Sequence, residues 1–468
     1  MIRGAPLIDF WWLRTIGFGA VAGALVLMAV SFSVKADTPL PDKTALLAKQ
    51  DALFQQMLSN PANLDVTFAY ADVSAELGDN EAAVAALERM LLFNPNLPRV
   101  DLELGVLYFR MGSFKAAQSY FDRAKSFNPP PEVMVRVDEY LGKIHSADKT
   151  SQFSGYFFLG TQYQTDANVA PGSPMIHSPI GDILLSSQFV KHTDLDLFAT
   201  GSVTYSYDLG NQDGDTIEAT GTGFANHYLQ FKRLDIDLGE ITAGPRFRYP
   251  NVPLVDNATL KPYVIVNEVG LGENQYFWTD GVGLEATGTF FSDVSARISW
   301  EFRDKHFTNA PDRPLSQGLS GHDNLLTVAL SKPVTANSAL SFEFDYLNQA
   351  TRFTYYSNAT YSAAVGYRIR YDDPTGLIQR PWETTLFGSR SWSIYQSPDP
   401  CCNTSGNPLI FSPSSRDDRH WRFGVTQTFQ VTDKIGVVVQ AQRDIVSSNL
   451  SIYAYTSNSV LLGPQIRF

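Results

Sequence analysis

Beyond Thr150, charged side chains recur at every second position opposite an apolar row. Arg297, Glu301 and Arg303 share one side with Ser295 and Ser299, while Val294, Ala296, Ile298, Trp300 and Phe302 hold the other. Glu343 and Asp345 alternate with Phe342, Phe344 and Tyr346. Arg368 and Arg370 alternate with Tyr367 and Ile369, and Arg246 and Arg248 flank Phe247. Charges of both signs on one face of successive strands suit the lining of a lumen, where they select what passes or brace the wall as ion pairs. They do not suit catalysis. The seven histidines (His145, His177, His192, His227, His306, His322 and His420) have no partner at a spacing that would build a nucleophile and its base. Cys401 and Cys402 are adjacent, too close for a relaxed disulfide, and lack the further spaced ligands of a zinc site. No enzyme, metal or cofactor is expected.

The elements that position these charges follow from the period. Alternation with period two, in segments of ten residues or more, is long for a soluble sandwich and matches a membrane β-barrel. Fourteen strands are predicted, near 153–164, 196–208, 218–231, 234–249, 261–274, 280–291, 294–307, 321–333, 338–350, 358–371, 382–396, 417–431, 434–446 and 458–468. Residues 183–191 are a candidate extra strand, which would make sixteen. The last segment alternates Val460, Leu462, Ile466 and Phe468 up to a terminal Phe, like the recognition strand of proteins inserted by the outer-membrane barrel assembly machinery. Gly463-Pro464 and Gly244-Pro245 should be local irregularities. An even strand count puts both barrel ends in the periplasm, with segments 165–195, 308–320 and 397–416 as long external loops.

Before Thr150 the period is helical. Asn60-Pro61, Asn94-Pro95 and Asn128-Pro129 stand 34 residues apart, and Gly78 and Gly112 keep the same spacing. The copy Leu104-Gly105, Tyr108, Gly112, Phe114, Ala117, Phe121, Ala124 and Pro129 resembles the tetratricopeptide (TPR) pattern. Small residues let paired helices approach and large ones fill between them. The first helix of each repeat should line a concave groove holding Asp65, Phe68, Asp72 and Glu76, then Arg99, Val106, Phe109 and Arg110. Acidic, aromatic and basic members together suit a peptide or protein segment.

Met1–Ala36 reads as a cleavable export signal. Arg3 and Arg14 precede a 14-residue apolar core, Gly17–Val30, which falls short of the roughly 20 residues of a spanning helix. The chain thus divides into a signal peptide (1–36), a TPR-like helical domain (37–148) and an outer-membrane barrel (149–468), an α+β multidomain plan. Net charge is −12, and −14 without the leader, which argues against nucleic acid as a partner. Outer-membrane lipid and the assembly machinery are the expected surroundings.

Two tracts carry a family resemblance. The first runs from Leu102-Glu103-Leu104-Gly105 through Phe121-Asp122-Arg123-Ala124 to Pro129-Pro130-Pro131 and Tyr140-Leu141. The second is Gly160-Thr161-Gln162-Tyr163-Gln164-Thr165-Asp166-Ala167-Asn168-Val169. Together they resemble the surface lipoprotein assembly modifier family, Slam. Residue-level similarity covers about residues 100–170, and Ala167 interrupts the usual phrase. The resemblance implies a periplasmic client protein, such as a surface lipoprotein, held by the helical domain and moved through or along the barrel. Polysaccharide export and a passive structural porin are the alternative functions.

Overall fold

The computed structural model describes residues 43–60, 63–147, 150–178, 181–211, 213–249, 252–291, 293–376, 380–398 and 414–468. The expected leader and the Cys401–Cys402 pair lie outside the described residues. Two compact units emerge, one helical and one all-β.

The helical unit has six helices: α1 (Lys43–Ser59), α2 (Leu64–Glu76), α3 (Asn80–Phe93), α4 (Pro98–Arg110), α5 (Phe114–Ser126) and α6 (Pro131–Ala147). Local chemistry sets their ends. Asn63 caps α2 by accepting from the N–H groups of Asp65 and Val66, and Asp79 caps α3 by accepting from Ala82 N–H. Gly78 and Gly112 close the equivalent turns of successive repeats with φ of 84° and 74°, a region glycine enters without strain. Within one repeat Tyr108 and Tyr120 stack at 5.4 Å, and both hydroxyls donate to Glu88 Oε1 of the preceding repeat at 2.7 and 3.0 Å. That hydrogen bond, with burial, pushes the Tyr108 phenol up to about 12. Arg123 pairs with the buried carboxylate of Asp101.

The β unit is a closed antiparallel barrel of fourteen strands. They are β1 (Ser151–Gln164), β4 (Asp194–Asp208), β5 (Thr216–Tyr228), β6 (Ile236–Tyr249), β7 (Val255–Leu271), β8 (Asn274–Phe290), β9 (Val294–Phe307), β10 (Gly321–Thr335), β11 (Ser338–Thr351), β12 (Asn358–Tyr371), β13 (Trp382–Pro398), β14 (Ser415–Gln430), β15 (Ile435–Ser448) and β16 (Tyr455–Arg467). Every predicted strand has its counterpart. The candidate extra strand does not join the wall. Its first residues belong instead to a small hairpin, β2 (Met175–Ser178) with β3 (Gly181–Leu184), in the loop after β1. Fourteen, not sixteen, strands close the barrel.

β1 pairs with β16 to close it, Tyr156 opposite Arg467 and Gln164 opposite Ser459. The ladder skips Leu159 and Gly160, which face the Gly463-Pro464 step, yet the register is unchanged on both sides. The β6–β7 ladder is interrupted in the same way at Gly244-Pro245. Proline supplies no N–H to a ladder, so each step costs hydrogen bonds without shifting the strand.

Outward positions are apolar and exposed. On β16 these are Val460, Leu462 and Ile466; on β13, Leu386 and Ile394. A closed barrel with no free edge and an apolar outer wall is the form in which β-structure crosses a membrane. The inner face is not polar throughout. Inward-facing Phe158, Phe198, Phe224, Tyr228, Ile236, Val269 and Leu271 form an apolar cluster at the end away from the chain termini. Ala167, Leu319 and Tyr356, from the loops at that end, pack against it. Burying loop side chains removes apolar area that would otherwise face water.

Candidate functional sites

The first candidate lies on α2 and α4. The Arg99 guanidinium sits over the Phe68 ring at 4.5 Å, a cation–π arrangement. Glu103, one turn beyond Arg99, is half-buried. Burial raises its carboxyl, the Asp72 charge raises it further, and Arg99, Arg110 and Arg136 oppose the shift. Burial likewise raises Asp72, against the pull of Arg99. Phe68, Asp72, Arg99, Glu103, Arg110 and Arg136 therefore share one electrostatic neighbourhood with mixed sign and an aromatic floor. Asp65 and Glu76 are exposed at the two ends of α2.

Val106 and Phe109 go elsewhere. Val106 is buried with Ala117, Phe121, Val137 and Ile144. The Phe109 ring packs against Phe114 and Tyr140 at 5.6 and 5.2 Å. The stripe Arg99, Glu103, Val106, Arg110 winds along α4, and where α5 and α6 pack on it the apolar members are covered. The sequence reading missed Glu103 and Arg136. Arg136 was within reach, because two steps of 34 from Phe68 arrive there.

The second candidate is the inner wall of the barrel. Arg246 donates to Glu218 at 2.8 Å and to Glu285 at 3.0 Å, and Lys261 pairs with Glu218 at 2.9 Å. Arg297 reaches Glu343 at 3.5 Å. Arg303 joins Glu240 and Glu301, both at 2.7 Å, and Tyr263 donates to Glu301 at 2.7 Å. Asp345 accepts from Thr327, and Arg370 pairs with Glu383. Arg368 shares the inner face of β12 with Arg370. Arg248 is exposed at the strand end, where its backbone N–H donates to Asp215. Most of these charges thus hold one another across strands. Glu218, Glu240, Lys261, Glu285 and Glu383 complete the network and were not singled out from the sequence. Their signal was the same inward parity, obscured in β7 by Pro262.

The third candidate is the turn after β1. Asp166, Ala167, Asn168 and Ala170 are all buried. Asn168 donates to Val190 O at 2.7 Å and accepts from His192 N–H at 2.9 Å, while Asp166 accepts from Ala170 N–H at 3.0 Å. Val169 holds a φ of 49°, a strained value for a β-branched residue. Burial pushes the Asp166 carboxyl up to about 6. The phrase that carried the family resemblance is thus the anchor that pins the long loop into the barrel mouth.

No family model matches the chain, and no curated protein does. Solved structures resemble its two parts. The outer membrane channel DcaP of Acinetobacter baumannii is 10% identical over 69% of this chain and 98% of its own, with a TM-score of 0.38. The anion-selective porin from Comamonas acidovorans is 9% identical over 68% and 99%, with a TM-score of 0.34. The Yersinia enterocolitica type III secretion chaperone SycD, solved with a peptide of the translocator YopD, is 10% identical over 29% and 95%, with a TM-score of 0.22. The membrane-barrel assignment rests on the closure and apolar wall of the strands themselves.

Proposed function

We propose that this protein is an outer-membrane exporter or display factor. In this reading the helical domain lies in the periplasm, holds an extended segment of a client protein, and delivers it to the barrel for transfer to the surface. One observation carries the reading: the Phe68–Arg99 pair set among Asp72, Glu103 and Arg136. An aromatic floor with alternating charge recognises a peptide by stacking and by paired ionic contacts. The resemblance to Slam adds the expectation that the client is a surface lipoprotein. The braced inner wall and the loops packed on its apolar cluster speak against a wide passive pore. Export would then require the loops to move, driven by client binding or folding outside.

The test is a photocrosslinking amino acid at position 68 or 103 of the full-length protein in living cells. A captured protein that normally reaches the surface, and that loses surface display in an Arg99→Glu strain, supports the proposal. Capture of a glycan synthase component would favour polysaccharide export. Normal surface protein content in Arg99→Glu cells, with no adduct at either position, would sink the client-binding reading.

A further inference from the structure

The outer wall of the barrel carries charges where lipid should lie. Leu386 and Ile394 are 55% and 52% exposed on β13. Arg390 lies between them with the same parity, so it points outward, mid-strand. Its guanidinium stands 4.5 Å from the rings of both Trp392 and Trp421. Its Nε is buried and has no hydrogen-bond partner. On β14, Arg419 shares the outward face with Trp421 and Phe423, and on β15 Arg443 sits opposite Phe423. Arg419 faces Trp392 across β13–β14, and Trp421 faces Arg390. Arg390 thus stands between two indoles on a lipid-facing surface, with Arg419 and Arg443 on the same face at neighbouring register positions.

Asp417 offsets one of them, 3.6 Å from Arg419. Among the described residues no carboxylate pairs with Arg390 or Arg443. Guanidinium groups without a carboxylate partner on a low-dielectric surface favour an anion. The patch is local. Outward positions at the same end of β6–β9 carry Asp237, Glu268, Asp280 and Asp304 instead.

We infer that Arg390, Arg419 and Arg443, with Trp392 and Trp421, bind the net-anionic, phosphate-bearing headgroup of a membrane lipid in the leaflet nearest the long loops. Guanidinium groups take phosphate oxygens through forked, charge-assisted hydrogen bonds. The two indoles hold Arg390 from both sides. Exposed Leu386, Ile394 and Phe423 around them offer an apolar surface for acyl chains. That combination commits the site to a lipid, since a free anion has no use for the apolar surround.

The experiment uses the full-length protein folded in neutral phosphatidylcholine vesicles doped with phosphatidylglycerol or a phosphorylated glycolipid. Lipid retained after detergent extraction is identified by native mass spectrometry. Folding of each variant is checked by the retarded mobility of unheated barrel on gels. The wild type should retain the net-anionic phospholipid in preference to zwitterionic phosphatidylcholine. Retention should weaken by about fivefold for each arginine removed in Arg390→Gln, Arg443→Gln and the double variant, while Arg390→Lys keeps part of it. Equal retention of phosphatidylcholine and net-anionic phospholipid by the wild type would overturn the inference. So would unchanged retention in the folded double variant, or complete displacement by inorganic phosphate alone. If the arginine variants instead dissociate an oligomer and leave lipid retention intact, the patch is a contact between copies and the lipid site is refuted.

Discussion

Two glycines in the helical domain should respond to the same substitution with opposite sign. Gly105 lies in α4, and a Cβ placed there would meet two ring atoms of Phe121 at 2.7 Å. Phe121 cannot retreat: it is fully buried and stacks on Tyr140 at 5.1 Å. Overpacking of this kind costs about 1–3 kcal/mol. Alanine recovers about 1 kcal/mol of helix propensity over glycine. Gly105→Ala should therefore destabilise by a net ~1 kcal/mol, within a range of about 0–2 kcal/mol. Gly142 lies in α6, and a Cβ there meets nothing within 4 Å. Gly142→Ala should gain the propensity term alone, about 1 kcal/mol. For a helical unit of this size each kcal/mol moves the melting temperature by about 4–8 °C. The assay is thermal melting followed by helical circular dichroism, with the barrel monitored separately by gel mobility. If both variants melt higher, Phe121 yields and close helix approach is not the reason for glycine at 105. If both melt lower, the propensity argument fails at 142.

Asp166→Asn should tighten the loop anchor at neutral pH. The folded carboxyl titrates at about 6 against an ordinary 3.8, so the folded state holds the proton more tightly and stability falls as pH rises through that window. Removing the charge should gain up to about 3 kcal/mol at neutral pH and nothing below the ordinary carboxyl range; hydrogen exchange of residues 166–170 against pH would read this, and a pH-independent difference would contradict it. Arg303→Met should weaken the barrel by about 3–5 kcal/mol, because Glu240 and Glu301 lose their shared partner in a buried setting. Arg370→Met, whose side chain is 40% exposed, should cost only about 0–1 kcal/mol. Urea unfolding scored by gel mobility compares the two, and equal losses would show that the network does not brace the wall.

The sequence by itself determined the plan of this protein. A 34-residue recurrence of Asn-Pro and Gly required stacked helix pairs, and Gly78 and Gly112 do close equivalent turns. Alternation on a two-residue period assigned every barrel strand, because the inner and outer faces of a strand see different surroundings along its length. It placed some of the inward charges, Arg246, Arg297 and Glu301 among them, and left out Glu218, Glu240, Lys261 and Glu285. It could not pair them, since Arg246 meets Glu285 and Arg303 meets Glu240 only after strands distant in the chain are brought into register. Nor could it tell lumen from loop cover: Phe158 and Phe198 fall within predicted strands, and only closure of the barrel brings Leu319 and Tyr356 into one cluster with them. Of the residues expected to line a groove, only some share one neighbourhood. Phe68 and Arg99 came from repeat geometry, whereas the burial of Val106 and Phe109 depends on where α6 packs. The three outward arginines belong to three different strands and carry no common motif. Their meeting beside two tryptophans is a product of register alone.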